Sequence, residues 1–267
     1  MGSLLLPLAG IPVHPSFSNA QRAAVKPAQP DSKALDHLAL HLSHLAQASR
    51  YKGGENDNFK ITHSGWQRLL KRVFDVALAV LLLIALAPVL ILLALLVKRD
   101  GGPAFFRQQR VGRNRKLFTC YKFRSMHTDA EKILDAYLAG NQQAAWEWKY
   151  FQKLKTDIRI TTFGQFIRRT SLDELPQLIN VLKGDMSFVG PRPCTPDQTS
   201  FYADDFRIYE AVRPGITGPW QVGGRNRLTF QQRVALETDY VRNWSLALDI
   251  SILLKTIPTV LRKDGVF

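Results

Sequence analysis

A single apolar run of 22 residues, from Val76 to Val97, constrains this chain more than any other feature. The run contains no charged or strongly polar side chain, and a helix needs about 20 apolar residues to cross the hydrocarbon core of a bilayer. A buried core helix of that length with no polar face would be unusual, so the run predicts a membrane-inserted helix. The mean hydropathy of the whole chain is only −0.11, which excludes a transporter with many membrane spans.

The flanks and the middle of this run leave two membrane paths open. Basic residues stand on both sides of it, namely Arg68, Lys71 and Arg72 before it and Lys98 and Arg99 after it. A spanning helix usually shows a Lys/Arg asymmetry between its flanks. Pro88 removes a helix hydrogen bond near the middle of the run and favours a kink there. A helix that dips into one leaflet, bends at Pro88 and returns satisfies both facts, and a straight span with a tolerated proline is the alternative.

The excess of positive charge indicates anionic partners. The chain has 36 Lys plus Arg against 22 Asp plus Glu, a formal net charge of +14, and charge of that size bears on partners rather than on fold. A basic stretch, 107–124, follows the apolar run, where each cation near anionic lipid contributes about 1 kcal/mol. Nucleic acid is the competing polyanion, but no helix-turn-helix pattern, zinc-finger spacing or RNP-like motif accompanies the charge. Cys120 and Cys194 are too few for a disulfide framework and suggest a reducing compartment.

The sequence divides into three regions. Residues 1–66 are a variable, partly disordered extension that contains several prolines, with one helix predicted over 32–50. Its start lacks a basic region and its first apolar residues are soon interrupted by proline, so no cleaved signal peptide is expected. Residues 67–99 are the membrane helix, and residues 100–267 are soluble in composition. Their last apolar segment, Leu246–Leu261, predicts an amphipathic helix that lies on the core or on the membrane.

Two adjacent carboxylates are the candidate chemical centre. Ser171 and Glu174 fit a capping box, with Ser171 as N-cap of a helix that Gly184 ends. Asp173 would then lie near a helix N-terminus, where its anion is favoured. The structural alternative is that Asp173 and Glu174 only cap the helix. A chemical role is indicated by the nearby arginines, because guanidinium groups bind phosphate oxygens. Beside a bound phosphate, a carboxylate nucleophile with a divalent metal can attack phosphorus. Those arginines are Arg159, Arg168, Arg169 and Arg192, the last on the proline-stiffened loop Gly190–Pro193.

Five motifs in one order resemble the bacterial sugar transferase family, the monotopic phosphoglycosyl transferases that begin exopolysaccharide, O-antigen and glycoprotein assembly. The motifs are Lys71–Asp75, Tyr121–Met126, Thr170–Leu178, Gly184–Pro193 and Arg213–Gly218. The resemblance covers about residues 68–267. The C-terminal elements are most similar to short exopolysaccharide galactosyl or glucosyl phosphate transferases.

This resemblance implies a fold and a reaction. The implied fold is mostly α with minor β: a re-entrant membrane helix with its break at Pro88, and a catalytic core at the cytoplasmic face of the bacterial inner membrane. The implied reaction moves a hexose-1-phosphate, galactose or glucose favoured, from a UDP-hexose to undecaprenyl phosphate, releases UMP and requires Mg²⁺. Anionic membrane lipids are further partners, nucleic acid is not, and a homo-oligomer is left open. Ala87 stands where the family commonly has serine before the proline, so stabilisation of the kink by a serine is absent.

The resemblance also implies roles for individual residues. Asp173 matches the family nucleophile, which forms a covalent phospho-sugar intermediate, and it is the predicted metal ligand. Glu174 matches the second residue of the family's Asp-Glu dyad, which is Asp173 and Glu174 here, and supports the metal or the proton handling. The positions that match phosphate-holding residues are Lys122, Arg124, Arg168 and Arg192. Arg225 matches a position on the uridine or pyrophosphate side. The alternative function is a non-catalytic membrane-anchored scaffold of a polysaccharide assembly complex, which should have lost the dyad or Arg192.

Overall fold

The predicted apolar helix is present. In the computed structural model, which describes residues 65–151, 154, 156–224 and 228–261, helix α1 runs over Gly65–Val97 and the 3₁₀ turn Lys98–Asp100 follows it. The helix is long and apolar enough to cross a membrane, and at 1.5 Å per residue its 33 residues measure about 50 Å. Pro88 lies inside this helix. The N-terminal extension and its predicted helix over 32–50 lie outside the described residues.

Helices form most of the rest of the described chain, which confirms a mostly α fold with minor β. The remaining helices are α2 Ala130–Gly140, α3 Gln142–Phe151, α4 Thr162–Arg169, α5 Gln177–Lys183, α6 Phe206–Tyr209, α7 Pro219–Gly223, α8 Phe230–Arg242 and α9 Leu246–Leu261. The strands are β1 Phe105–Val111, β2 Leu117–Phe123, β3 Ser187–Val189 and β4 Gly215–Thr217. Strands β1 and β2 form an antiparallel pair, and β3 and β4 form a parallel pair. Helix α9 has the bounds that its apolar pattern predicts.

The antiparallel pair is a hairpin that begins soon after α1. Phe105 pairs with Phe123, so the far end of β2 returns to the side of the hairpin that follows α1. The turn of the hairpin puts Asn114 and Arg115 at φ +55° and +61°, a left-handed conformation that is uncommon for residues other than glycine. The backbone N–H of Asn114 donates to the Glu210 carbonyl at 2.8 Å, and the side chain of Glu210 pairs with Arg115. These contacts with Glu210, the residue that follows α6, hold the turn in its left-handed conformation.

One side of α1 packs on the fold along most of its length, and the other side exposes apolar side chains. The first half of α1 joins the main core, whose members include Ala79, Leu178, Met186, Phe188 and Ile252. The second half joins another cluster, whose buried members are Leu93, Val97, Phe123 and Ile167. The exposed side includes Leu69, Val73, Val80, Leu81, Ile84, Leu92 and Leu95. Buried apolar area of this kind stabilises the packing by about 25 cal/mol per Å².

Charged side chains fix the beginning of α1. The Lys71 ammonium donates to the Val189 carbonyl at 3.0 Å and pairs with Asp249 of α9, which is 1% exposed. Arg72 donates to two carbonyl oxygens of the last turn of α5, at 2.6 and 2.8 Å. The buried carboxylate of Asp75 accepts two hydrogen bonds from β3. Helix α1 therefore begins in polar contact with the elements that lead to the Gly190–Pro193 loop.

Arg124 fixes the end of α1. Its guanidinium donates to the Val97 carbonyl at 3.0 Å, pairs with Asp100, and donates to the Pro103 carbonyl at 2.7 Å. The side chain is 8% exposed. Both ends of α1 are thus held by residues of the same compact unit.

Candidate active site

The two candidate carboxylates, Asp173 and Glu174, lie on a 3₁₀ turn that precedes α5. The predicted capping box is wrong, because Ser171 takes a left-handed conformation at φ +57° and its side chain caps no helix. The side chains of Lys122, from β2, and Gln177 donate to Glu174 instead, with the Lys122 ammonium at 2.6 Å. Glu174 therefore forms an ion pair with Lys122, which lies on a strand distant in sequence.

Helix α4 brings Arg168 to the same turn. The Thr161 hydroxyl accepts the N–H of Gly164 at 2.8 Å and begins the helix. A Cβ atom on Gly164 would overlap the carbonyl oxygen of Ser125, so a glycine is needed for this close approach of α4 to the end of β2. Arg168 then donates from Nε to the Ser125 hydroxyl at 2.7 Å. This hydrogen bond orients the Arg168 guanidinium in the site.

Arg192 lies on the predicted Gly190–Pro193 loop, directly after β3. A Cβ atom on Gly190 would overlap the backbone that leads into β4, and the N–H of Gly215 donates to the Pro191 carbonyl at 2.8 Å. The loop and β4 are therefore in backbone contact. The guanidinium carbon of Arg192 lies 5.1 Å from the centre of the Trp220 ring, at a cation–π distance.

A buried ion pair fixes the backbone of Arg192 from both sides. Glu237 Oε1 accepts the N–H of Arg192 at 2.9 Å, and Arg233 donates to the Arg192 carbonyl at 2.8 Å. Arg233 and Glu237 lie one turn apart on α8 and pair at 2.9 Å. The second carboxylate oxygen of Glu237 accepts the Tyr202 hydroxyl at 2.6 Å, and Glu237 is only 2% exposed. We call Tyr202, Arg233 and Glu237 the Arg192 clamp.

The two carboxylates, Arg168 and Arg192 line one cavity of about 1220 Å³. Its charged part includes Lys122, Arg124, Arg168, Asp173, Glu174 and Arg192. Residues 126–132, at and before the start of α2, also line the cavity. Its lining also includes Leu82 of α1, Ile216 of β4, and Val260 of α9. Typical ligand pockets measure about 300–1,000 Å³, so this cavity can hold a large substrate or parts of two.

Burial and local charge separate the two carboxylates. Burial, followed by the charge of Glu174, raises the pKa of Asp173 to about 6. The cations of Lys122, Arg168 and Arg192 oppose that rise. Burial also disfavours the Glu174 anion, but Lys122 and Arg192 outweigh it and hold the pKa of Glu174 below its usual range. Paired carboxylates whose pKa values are moved apart inside a cavity are typical of catalytic sites.

The structure brings five of the predicted site residues together around the cavity: Lys122, Arg168, Asp173, Glu174 and Arg192. Arg124 also borders the cavity, but its guanidinium is bonded to Val97 and Asp100 at the end of α1. Pro88 is exposed in the middle of α1. Arg225 lies outside the described residues.

Other residues of the site have no clear signal in the sequence. Arg110 lines the cavity and donates to the Pro193 carbonyl at 2.9 Å, and burial together with the Arg192 charge lowers its pKa. In the sequence Arg110 is only one cation of a basic stretch. Trp220 and the clamp lie in segments with no predicted role, and only the four-residue spacing of Arg233 and Glu237 could have suggested an ion pair.

A magnesium ion could be held here only with help from a substrate. Among the described residues, no group of three His, Cys, Asp or Glu side chains could hold a metal. Both oxygens of Glu174 already accept hydrogen bonds. Asp173 lines the cavity, and Mg²⁺ is commonly bound through one or two carboxylates plus substrate phosphates. The residues fit a Mg²⁺ that Asp173 and the phosphates of a bound substrate hold jointly.

Comparisons with known proteins give one consistent result. The model of the bacterial sugar transferase family matches residues 66–263. An undecaprenyl-phosphate galactose phosphotransferase of Salmonella typhimurium is 52% identical over 200 residues, which are 75% of this chain and 42% of that protein. A UDP-galactose-lipid carrier transferase of Erwinia amylovora is 48% identical over 200 residues, 75% of this chain and 42% of that protein. The exopolysaccharide production protein ExoY of Sinorhizobium fredii is 45% identical over 196 residues, 73% of this chain and 87% of ExoY.

The coverage differs among these relatives. The matched part of the chain spans 42% of the length of the Salmonella and Erwinia proteins but 87% of ExoY. Every residue of the described cavity lies inside the range that the family model matches.

Proposed function

Because the chain belongs to the bacterial sugar transferase family, we propose that it transfers a hexose-1-phosphate from a UDP-hexose to undecaprenyl phosphate and releases UMP. This reaction would be the first membrane step of exopolysaccharide biosynthesis, with galactose or glucose as the hexose. The observation that carries the proposal is the position of Asp173. It is a buried carboxylate in a cavity that is lined by the cations Lys122, Arg168 and Arg192 and that residues of α1 and α9 also border.

Asp173 acts as the nucleophile in this proposal. Its carboxylate attacks the phosphorus that carries the hexose, the bond from that phosphorus to the bridging oxygen breaks, and UMP leaves. A covalent aspartyl phospho-sugar remains on the enzyme. An oxygen of the undecaprenyl phosphate then attacks the same phosphorus and releases Asp173. Since the pKa of Asp173 is raised only to about 6, the carboxylate is mostly ionised at neutral pH and can attack.

Cations around the dyad would bind the phosphates. The Lys122 ammonium stands 2.6 Å from Glu174, and Arg168 and Arg192 are oriented by Ser125 and Trp220 respectively. A guanidinium that is already oriented loses less conformational entropy when it binds a phosphate. Bound Mg²⁺, on Asp173 and the donor phosphates, would neutralise charge that develops on the leaving UMP. Glu174, held by Lys122, keeps the position of that ammonium beside the reacting phosphate.

A re-entrant path for α1 at the cytoplasmic face is part of the proposal. Lys71 near the start of α1 bonds to Val189, and Val97 at its end accepts from Arg124. Asn180 connects these two regions, because its side chain donates to β2 at 2.7 Å and its carbonyl accepts from the residue before β3 at 3.2 Å. A straight helix about 50 Å long would put its ends on opposite sides of a hydrocarbon core of about 30 Å. Contact of both ends with one unit favours a helix that returns to the same side.

The non-catalytic scaffold has no observation in its favour. It would be expected to have lost the dyad or Arg192, and this chain has Asp173, Glu174 and Arg192 together in the cavity.

The test is a measurement of UMP release by the purified protein with Mg²⁺, undecaprenyl phosphate and UDP-galactose or UDP-glucose. We expect Asp173→Asn to abolish UMP release. Asp135→Asn, a matched change at an exposed aspartate of α2, should leave it unchanged. With sugar-labelled donor and no acceptor, label should remain on the wild-type protein and be absent from Asp173→Asn. A wild-type protein that releases no UMP from any UDP-hexose contradicts the proposed function, and an active Asp173→Asn contradicts the nucleophile.

A further inference from the structure

Three arginines lie close together near the C-terminal end of α5, outside the cavity of the dyad. Arg72 belongs to α1, Arg113 to the turn of the β1–β2 hairpin, and Arg213 to the segment before β4. None of these three residues, which we call the arginine triad, lines that cavity. We infer that the triad binds the phosphate group of an anionic phospholipid. This inference rests on the insertion of α1 into a membrane and not on the transfer reaction.

Gly184, the residue that follows α5, shows how close two of these guanidiniums are. A Cβ atom on Gly184 would stand 3.4 Å from Nη2 of Arg72 and 4.0 Å from Nη2 of Arg213. Arg213 donates from Nε to the Gly184 carbonyl at 2.7 Å, and Arg72 donates to two carbonyls of the last turn of α5. Burial, followed by the charges of Arg72 and Arg113, lowers the pKa of Arg213. Arg113 is therefore near the other two guanidiniums.

Carboxylates do not neutralise the triad. None of its arginines forms an ion pair with an Asp or Glu of the described chain. The carboxylates that act on Arg213 are Asp75 and Asp185, and both already accept hydrogen bonds from other groups. The C-terminus of α5 contributes only about half a negative charge, and its last residue, Lys183, is a further exposed cation. Positive charge therefore exceeds negative charge around the triad, and an anion would reduce the repulsion.

The triad also has N–H donors left for a phosphate. A guanidinium has five N–H donors, of which Arg72 gives two and Arg213 gives one to backbone carbonyls of the described chain. The Nε of Arg113 is buried and has no hydrogen-bond acceptor among the described residues. A buried donor without an acceptor is unfavourable, and guanidiniums match the oxygens of a phosphate in geometry and charge. A phosphate at the triad would supply the missing acceptor.

The position of Arg72 on α1 favours a lipid as the source of this phosphate. The side chains of Trp66, Leu69 and Val73, in the first turns of α1, are 69%, 53% and 57% exposed. The apolar run begins at Val76, four residues after Arg72. Tryptophan is common at the level of the lipid headgroups, and cations beside a membrane segment attract anionic headgroups. These first turns would therefore lie where phospholipid phosphates are available to the triad.

Arg113 gives the sharpest test, because its side chain bonds to no described residue, whereas Arg72 and Arg213 bond to the fold. Phosphatidylglycerol is titrated into the full chain in detergent, and native mass spectrometry measures the bound lipid. We expect Arg113→Gln to weaken its binding about tenfold, the effect of one lost hydrogen bond between charged groups. The matched change Arg107→Gln removes the same charge from an exposed position of β1 and should leave the affinity unchanged. Both variants should release UMP in detergent at the wild-type rate, which shows that they are folded.

Competition identifies the source of the phosphate. We expect neither phosphatidylcholine nor inorganic phosphate to displace phosphatidylglycerol from the wild-type protein. Displacement by inorganic phosphate would show a site for a free anion, and displacement by phosphatidylcholine would show general contact with lipid; either result overturns the inference. Equal losses of affinity in Arg113→Gln and Arg107→Gln would show unspecific attraction of charge and overturn it as well. A wild-type protein that binds phosphatidylglycerol as expected but releases no UMP would contradict the proposed function alone.

Discussion

The Arg192 clamp provides a prediction whose size can be worked out from the structure. In Glu237→Gln the side chain keeps its shape but loses its charge. Arg233, whose side chain is 9% exposed, is then left as a buried cation without its carboxylate. Breaking a buried ion pair by removal of one partner costs about 3–5 kcal/mol of unfolding free energy. The matched change Glu210→Gln breaks the exposed pair with Arg115 and should cost at most about 1 kcal/mol.

The effect on activity follows from the hydrogen bonds to Arg192. Glu237 accepts the N–H of Arg192, and Arg233 donates to its carbonyl, so the change loosens the backbone that carries a phosphate-binding guanidinium. A hydrogen bond to a charged group contributes about 1.5–3 kcal/mol. If the Arg192 guanidinium loses one such hydrogen bond to a substrate phosphate in the transition state, kcat/KM for the UDP-hexose falls about 10- to 150-fold.

Two measurements check this reasoning. Thermal unfolding in detergent gives the stability, and the double variant Arg233→Met with Glu237→Gln should recover part of it because no unpaired charge remains. Initial rates of UMP release give the activity in a cycle of Glu237→Gln and Arg192→Ala. If Glu237 acts through Arg192, the double variant is no slower than Arg192→Ala alone. Independent, multiplicative losses in that cycle would refute the assignment of Glu237 as a positioning residue.

Three further results are expected. The single-turnover release of UMP should fall as the pH drops through about 6, because protonation removes the nucleophilic anion of Asp173, whose pKa is raised to about 6; a rate that is flat from pH 5 to 8 would contradict this role. Single cysteines in place of Trp66 and Lys98, both exposed, should react with an impermeant maleimide from the same side of sealed vesicles, and labelling from opposite sides would show a straight span. Gly164→Ala should lower the unfolding free energy by about 1–3 kcal/mol because its Cβ meets backbone. Gly140→Ala, with open space around it, should be neutral or stabilising by chemical denaturation.

Elements whose signal is local could be predicted from the sequence. The length of the apolar run of 76–97 and the amphipathic pattern of 246–261 each predict a helix, and both segments are helical. The predicted capping box was wrong because the contacts of Glu174 are set by a residue far away in the sequence. Ser171 to Glu174 is a local pattern, but Lys122 lies 52 residues away and takes the Glu174 carboxylate, so a tertiary ion pair replaces the local cap.

The arrangement of the site could be predicted only in part, for the same physical reason. Residue types suited to phosphate and nucleophilic chemistry identify Asp173, Arg168 and Arg192 without any knowledge of their contacts. Whether a cation is available to a substrate depends on its partners. Arg124 is bonded to the end of α1 by contacts up to 27 residues away, and the two clamp residues that bond to the Arg192 backbone, Arg233 and Glu237, lie more than 40 positions later.

The ion pair between Lys71 and Asp249 bears on how this enzyme can be made water-soluble. Asp249 is 1% exposed in the intact fold, and deleting α1 would remove the ammonium that pairs with it. The Val189 carbonyl, directly before the Gly190–Pro193 loop, would also lose the Lys71 hydrogen bond. A detergent-free form should therefore retain residues 65–100 and carry polar replacements only at outward-facing positions such as Leu81 and Ile84. Simple truncation before the catalytic domain removes part of its own folded interior.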